Sequence, residues 1–147
     1  MTQRVLVPFD GSDPAWTALE EAVEQYPDAE IIALHVLDLN RFDFGLKGTS
    51  TGTGAGAGTD DLPDVSQEYA DESLTAAEEF AEQYAITLTT SIETGPPARV
   101  IVDYATRHTV DRIVIGSHGR SGISRILLGS IAEQVVRQSP VSVTIAR

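Results

Sequence analysis

The sequence predicts an α/β fold: an open, doubly wound, five-stranded parallel sheet of the Rossmann-like kind, with helices on both faces. Short runs rich in Val, Ile and Leu alternate with longer segments whose apolar residues recur every three or four positions. This is the pattern of buried strands alternating with amphipathic helices. The chain has 147 residues, which is the size of one domain with its own core. We therefore expect a single domain over residues 1–147.

The composition limits the classes of function. The chain carries 22 acidic and 10 basic residues, for a net charge of −12. Such a field repels nucleic acid and anionic membranes, so we expect neither as a partner. The absence of cysteine excludes thiolate catalysis, iron–sulfur clusters and Cys-ligated zinc. Lys47 is the only lysine, and this acidic, lysine-poor composition favours a halophilic source over an acidic mesophilic one.

The amino-terminal segment has none of the features of a targeting peptide. Met1 is followed by Thr-Gln-Arg and then by a strand, without a basic segment and an apolar stretch in succession. The sequence also lacks a run of about 18 apolar residues of the kind that spans a membrane. We therefore expect a cytoplasmic protein.

The first strand and the first helix meet at a well-marked turn. A strand is predicted from Arg4 to Asp10, which places Asp10 at its carboxyl end. After a glycine, Asp13 is the expected N-cap and Pro14 the first residue of a helix that continues to about Tyr26. Asp10 could then either bind a ligand or only cap the turn.

The second strand is followed by a segment of low complexity. The apolar run 30–38 predicts a strand that reaches its parallel neighbour through a right-handed crossover. In this strand His35 is expected to be a satisfied residue of the sheet face rather than a ligand. Residues 41–62 include the stretch 51–58, which has no side chain larger than threonine, so we predict a flexible Gly-rich loop. The loose dinucleotide fingerprint within 52–57 has no strand before it and is not interpreted as a site.

Three further strands and three helices complete the pattern. A helix is predicted from about Val65 to Tyr84, and its carboxylate-rich face is interpreted as a solvated surface. The alternating strand 86–94 is placed at an edge of the sheet. A helix then begins at the Gly-Pro-Pro sequence 95–97 and ends near His108, whose charge suits a helix C-terminus. The last strand is predicted over 141–145, after the last helix.

The segment from Asp111 to Val135 contains an arrangement suited to binding an anion. Its buried strand ends in glycine, and a loop follows that holds more glycines and two arginines. Ser130 and Glu133 match the capping-box pattern, which predicts a helix start. A helix start beside such a loop favours an anion. The loop residues concerned are Gly116, Gly119, Gly122, Arg120 and Arg125.

The spacing of these residues resembles the nucleotide-binding motif of the universal stress protein family. Gly116-x-x-Gly119 is followed after nine residues by Gly129-Ser130, and the resemblance extends from the first strand to the last. It implies a UspA-like protein of the ATP-binding subgroup, with the strand order 3-2-1-4-5. It also implies a homodimer through strand 141–145 and an ATP, ADP or AMP ligand, with Mg²⁺ as an option through the phosphates. The implied nucleotide-binding residues are Pro8, Phe9, Asp10, Val36, Ile115, Gly116, His118, Gly119, Arg120, Gly129, Ser130 and Ile131.

The resemblance also assigns positions within that site. Asp10 would lie near the ribose and adenine, and the backbone of Val36 would contact the adenine edge. His118 either contacts a phosphate or only holds the loop geometry. The chain would be a nucleotide-dependent regulator or sensor in a stress response, or, as the alternative, a dimeric interaction module that binds no nucleotide.

Enzymatic motifs are missing from the sequence. It contains no Gly-x-Ser-x-Gly, no His-Glu-x-x-His and no phosphate-binding Gly-x-x-x-x-Gly-Lys-Ser/Thr pattern. We therefore expect no catalytic residues and no metal site of the protein's own. At most, the protein would hydrolyse ATP slowly.

Overall fold

The computed structural model describes residues 2–38, 55–117 and 128–147, with the side chains of 55–66 excepted. Within these ranges five strands form one parallel sheet in the order β3-β2-β1-β4-β5. The predicted fold class and strand order are thereby confirmed. In chain order the elements are β1 (Arg4–Pro8), α1 (Asp13–Gln25), β2 (Glu30–Leu37), α2 (Ala55–Glu82), β3 (Thr89–Thr94), α3 (Pro97–Arg107), β4 (Arg112–Gly116), α4 (Ser130–Gln138) and β5 (Ser142–Ala146).

The central strand β1 is covered on both faces. Val5 and Val7 pack on the face covered by α1 and α2, whereas Leu6 packs on the face covered by α3 and α4. All three side chains are fully buried. Burial on both faces is why this strand is a continuous apolar run in the sequence. The alternating strand β3 lies at one edge of the sheet, as predicted.

Three aromatic rings connect the sheet to α1 and α2. The ring of Trp16 meets the ring of Phe9 edge to face, with centroids 4.9 Å apart. On its other side it meets Phe80 of α2, with centroids 5.6 Å apart. Edge-to-face aromatic pairs add about 1 kcal/mol each to the area they bury. Trp16, which belongs to α1, therefore packs against both α2 and the residue that follows β1.

The N-cap of α1 is Ser12, and the prediction of Asp13 was wrong by one residue. The Ser12 backbone is extended, and its hydroxyl oxygen accepts a hydrogen bond from the Ala15 N–H at 3.4 Å. Asp13 is already helical, so Pro14 occupies the second helical position. Serine and aspartate are about equally good caps, so the sequence alone does not rank the two.

The helix α2 begins at Ala55, ten residues before its predicted start at Val65. Residues 55–62 of the predicted loop therefore lie in the helix, and residues 41–54 lie outside the described residues. Pro63 therefore lies inside the helix rather than before it. A proline within a helix removes one hydrogen bond at a cost of about 3 kcal/mol, which a long helix can absorb.

Candidate functional site

The predicted site residues that the structure describes lie along the carboxyl edge of the sheet and at the start of α4. Strands β1, β2 and β4 run parallel and end at this edge, and α4 begins there because it must return to the opposite edge before β5. His118, Gly119 and Arg120 lie outside the described residues. The residues that the structure places here are Pro8, Phe9, Asp10, Val36, Ile115, Gly116, Gly129, Ser130 and Ile131.

Asp10 organises the turn after β1. Its Oδ1 accepts two hydrogen bonds from Ser12, one from the backbone N–H at 3.0 Å and one from the hydroxyl at 2.6 Å. The carboxylate thus caps the turn, which was one of the two roles considered for it. Both bonds use the same oxygen, and the residue is exposed. Within the described part of the chain, Oδ2 is left available to accept from a ligand.

The main chain of Val36 extends beyond the last residue of β1 that pairs with β2. The ladder between β1 and β2 ends with the Phe9 N–H donating to the Leu34 carbonyl at 2.8 Å. Main-chain groups of alternate residues point to the same side of a strand, so those of Val36 also face β1. Strand β1 has already ended at Pro8, so among the described residues the N–H and C=O of Val36 have no partner in β1.

Phe9 contributes only its main chain to this edge, next to Pro8. Phe9 is 2% exposed, and its ring lies in the core against Trp16. Pro8 is the last residue of β1, paired in register with Leu34. A ligand at this edge can therefore contact the backbone at 8–9 but not the Phe9 ring.

Gly116, at the end of β4, lies directly under the first turn of α1. A Cβ built on it would fall 2.2 Å from the Pro14 carbonyl oxygen and 2.5 Å from the Pro14 carbonyl carbon. The missing side chain therefore permits close packing of α1 on β4. The neighbouring Ile115 is buried, and the Ser117 N–H donates to the Ala146 carbonyl of β5 at 2.9 Å.

The helix α4 begins without the predicted capping box. Gly129 is the N-cap, with φ −63° and ψ 157°, and the helix start has no side-chain cap. Ser130 is the first helical residue, and Glu133 pairs with Arg137 at 3.0 Å instead of reaching back. The prediction of Ser130 as the cap was wrong by one residue. Among the described residues, no side chain caps the first N–H groups of α4, and these groups and the exposed Ser130 can meet a ligand or water.

His35 lies behind Asp10 on the face of the sheet covered by α2. It is 5% exposed, and its Nδ1 has no hydrogen-bond partner among the described residues. Burial lowers the pKa of His35, and the Asp10 charge and the nearby Phe9 backbone raise it by less. The imidazole is therefore neutral at pH 7. The expected sheet-face position is correct, but the ring is not fully satisfied.

The described residues contain neither a metal-binding cluster nor a membrane-spanning helix. In 2–38, 55–117 and 128–147, no group of three or more His, Cys, Asp or Glu residues is arranged to hold a metal ion. Across the same residues, no helix combines the length and the apolar character that crossing a membrane requires.

Comparison with known proteins decides the family. A family model described as the universal stress protein family matches residues 1–147. The chain belongs to this family. Universal stress protein MJ0531 of Methanocaldococcus jannaschii is 30% identical to this chain over 147 residues, which cover 99% of this chain and 82% of the relative.

Solved structures of universal stress proteins resemble this one. UspA from Lactobacillus plantarum aligns with a TM-score of 0.76 and 30% identity, over 99% of this chain and 97% of that one. A universal stress protein family protein from Arabidopsis thaliana, solved with AMP bound, aligns with a TM-score of 0.68 over 98% of this chain and 90% of that one. Its identity is 16%, so this second likeness shows the common fold alone.

Proposed function

We propose that this universal stress protein binds an adenine nucleotide at the carboxyl edge of the sheet and acts as a nucleotide-dependent regulator in a stress response. The observation that carries the proposal is the main chain of Val36, which has no partner in β1 among the described residues and lies at the same edge of the sheet as the Asp10 carboxylate. The edge of adenine presents an amino donor next to a ring-nitrogen acceptor. One backbone C=O and one backbone N–H are the matching groups. Oδ2 of Asp10 would accept from a ribose hydroxyl.

The start of α4 supplies the complementary site for phosphate. Its first N–H groups have no side-chain cap within the part of the chain that the structure describes, and the positive end of the helix dipole lies there. The exposed hydroxyl of Ser130 adds a donor. Arg120 and Gly119 stay predicted phosphate contacts, and His118 stays predicted either to contact a phosphate or only to hold the loop geometry. Mg²⁺, where present, would be held through the phosphates.

Two further considerations bear on the proposal. The AMP bound to the Arabidopsis protein shows that a protein of this fold can hold an adenine nucleotide. The alternative is that the same fold serves as a dimeric interaction module without a nucleotide. The absence of detectable ATP binding at millimolar concentration would favour this module. Of the enzymatic activities we expect at most slow ATP hydrolysis.

Exchanging Asp10 for asparagine tests the ribose contact. Asp10→Asn keeps one oxygen to accept from Ser12, but it replaces the second oxygen by an amide that cannot accept from a hydroxyl. A hydrogen bond to a charged group contributes about 1.5–3 kcal/mol, so we expect ATP affinity to fall at least about tenfold. Calorimetry with ATP and Mg²⁺ at high salt measures it.

The control is Asp28→Asn, which makes the same charge change in an exposed turn before β2. This turn lies at the amino ends of the strands, away from the proposed site. It should bind ATP like the parent chain. An Asp10→Asn variant with unchanged affinity would remove Asp10 from the site while leaving nucleotide binding itself in place.

We also propose a homodimer through β5. This strand, Ser142–Ala146, ends the sheet with an uncharged edge, and an exposed regular edge favours pairing with a second copy about a two-fold axis. The net charge of −12 opposes association at low salt. Molar salt shortens the screening length to about 3 Å, so the acidic, lysine-poor composition suits a dimer at the high salinity of a halophilic cell.

The expected result is a dimer at molar salt that dissociates on desalting, measured by sedimentation. Val143→Asp should give a monomer at molar salt, because it places a charge on each paired strand; circular dichroism checks that the variant is folded, since Val143 packs against the core. Thr90→Asp, on the opposite edge strand β3, should leave the dimer intact. A parent chain that is monomeric at molar salt, or a dimer unaffected by Val143→Asp, contradicts the proposal.

A further inference from the structure

A residue outside the predicted site contacts its central turn. The hydroxyl of Tyr69, on α2, donates to the Asp10 carbonyl at 3.2 Å. The next residue, Gly11, has φ +83°, and a Cβ built on it would lie 2.8 Å from the Tyr69 hydroxyl and 2.9 Å from the Ser73 hydroxyl. The turn after β1 is thus seated directly against two hydroxyl groups of α2.

Tyr69 is placed differently from its neighbours on the helix. Ala70 and Leu74 are buried in the core, whereas Tyr69 is 52% exposed. Its ring meets the ring of His35 at 71°, with centroids 6.1 Å apart. The side chain therefore covers the buried imidazole and reaches the rim of the carboxyl edge, where the Asp10 carboxylate is exposed.

We propose that Tyr69 is a positioning residue of the nucleotide site: its hydroxyl holds the Asp10 main chain so that the carboxylate faces the ribose. The inference rests on the proposed nucleotide binding. Through Tyr69, α2 would contribute to ribose binding, although none of the predicted site residues lies on α2.

The hydrogen bonds within the turn after β1 explain why a contact from α2 affects the position of Asp10. Among the described residues, the Asp10 side chain makes hydrogen bonds with Ser12 alone, two residues away, so these bonds fix the shape of the turn but not its position against α2. Tyr69 lies 59 residues away in sequence, and its bond holds the Asp10 main chain in that position. A binding group displaced by about 1 Å loses much of its contribution, so losing this bond should weaken binding without abolishing it.

The test is Tyr69→Phe, which keeps the ring against His35 and removes only the hydroxyl. Loss of one neutral hydrogen bond corresponds to about a fivefold fall in ATP affinity by calorimetry. Tyr84→Phe is the matched control, because that tyrosine follows the end of α2 and its hydroxyl contacts Glu24 of α1 at 3.4 Å, away from the turn. Tyr84→Phe should bind ATP like the parent chain.

A second ligand separates positioning from a merely structural role. With 2′,3′-dideoxy-ATP, which lacks the ribose hydroxyls, Tyr69→Phe and the parent chain should bind equally. The double variant Tyr69→Phe, Asp10→Asn should bind ATP no more weakly than Asp10→Asn alone. Equal losses for both nucleotides would show that Tyr69 only supports the fold, and this would overturn the inference.

The remaining outcomes distinguish the two proposals. If the parent chain binds ATP and Tyr69→Phe binds it equally well, the positioning role of Tyr69 is wrong and the proposed function stands. If the parent chain binds neither nucleotide, both proposals are wrong.

Discussion

Replacing Gly129 with valine is expected to abolish nucleotide binding while the apo protein keeps its fold. The N-cap backbone at φ −63° is accessible to any residue, so its conformation does not require glycine. Valine is a poorer cap than glycine, which costs about 1 kcal/mol of stability. Its side chain would occupy the space in front of the first N–H groups of α4. Losing two hydrogen bonds to charged phosphate corresponds to about a hundredfold or greater loss of affinity.

Calorimetry with ATP and thermal unfolding of the apo protein, run together, check both halves of this expectation. Gly129→Ala provides a graded comparison, since its methyl group should reduce affinity less than valine does. A valine variant that unfolds would assign Gly129 to packing. A valine variant that binds ATP normally would remove the start of α4 from the phosphate site.

Gly116→Ala is expected to have the largest effect on stability. The added methyl would lie 2.2 Å from the Pro14 carbonyl oxygen, and backbone, unlike a side-chain end, cannot rotate away. Overpacking of this kind costs about 3 kcal/mol or more. The first turn of α1 must move off β4, and it carries the neighbouring Ser12 cap with it. Nucleotide affinity should therefore fall as well.

Urea unfolding measures the loss, and for a chain of this size it corresponds to a fall of about 10 °C in the unfolding temperature. Gly129→Ala makes the same chemical change at a helix start and should cost under about 1 kcal/mol. A Gly116→Ala variant as stable as the parent chain would mean that α1 and β4 can separate freely at this point, contrary to the packing described.

The fold could be predicted because its determinants are local patterns. The apolar run through Val5, Leu6 and Val7 predicts a strand covered on both faces, and the alternating residues of β3 predict an edge. The order of the strands came from the resemblance to the family, because periodicity alone does not state which strands are neighbours. Helix starts were less accurate, since Ser12 and Asp13 are both good caps and only the folded geometry selects one.

The site residues stay predictions, and the contacts that the described ones make could not be read from the sequence. Within the described residues, the lack of a β1 partner for the Val36 main chain depends on where the ladder with β1 stops, and that register is a property of the folded sheet. Tyr69 matched the apolar stripe of its helix, so its contact with Asp10 had no signature in the sequence. The close approach of Pro14 to Gly116 was equally hidden, because a glycine at the end of a strand suits a ligand and a packed helix alike.

The aromatic contacts at the end of β1 have a practical consequence for spectroscopy. Trp16 is the only tryptophan in the chain, so indole fluorescence arises from a single place. That place adjoins Phe9, whose backbone belongs to the proposed nucleotide edge, and Phe80 of the helix that carries Tyr69. The emission wavelength and lifetime of an indole depend on the polarity and motion of its surroundings. The native chain thus carries an intrinsic optical reporter beside the site, with no need for a dye or an engineered label.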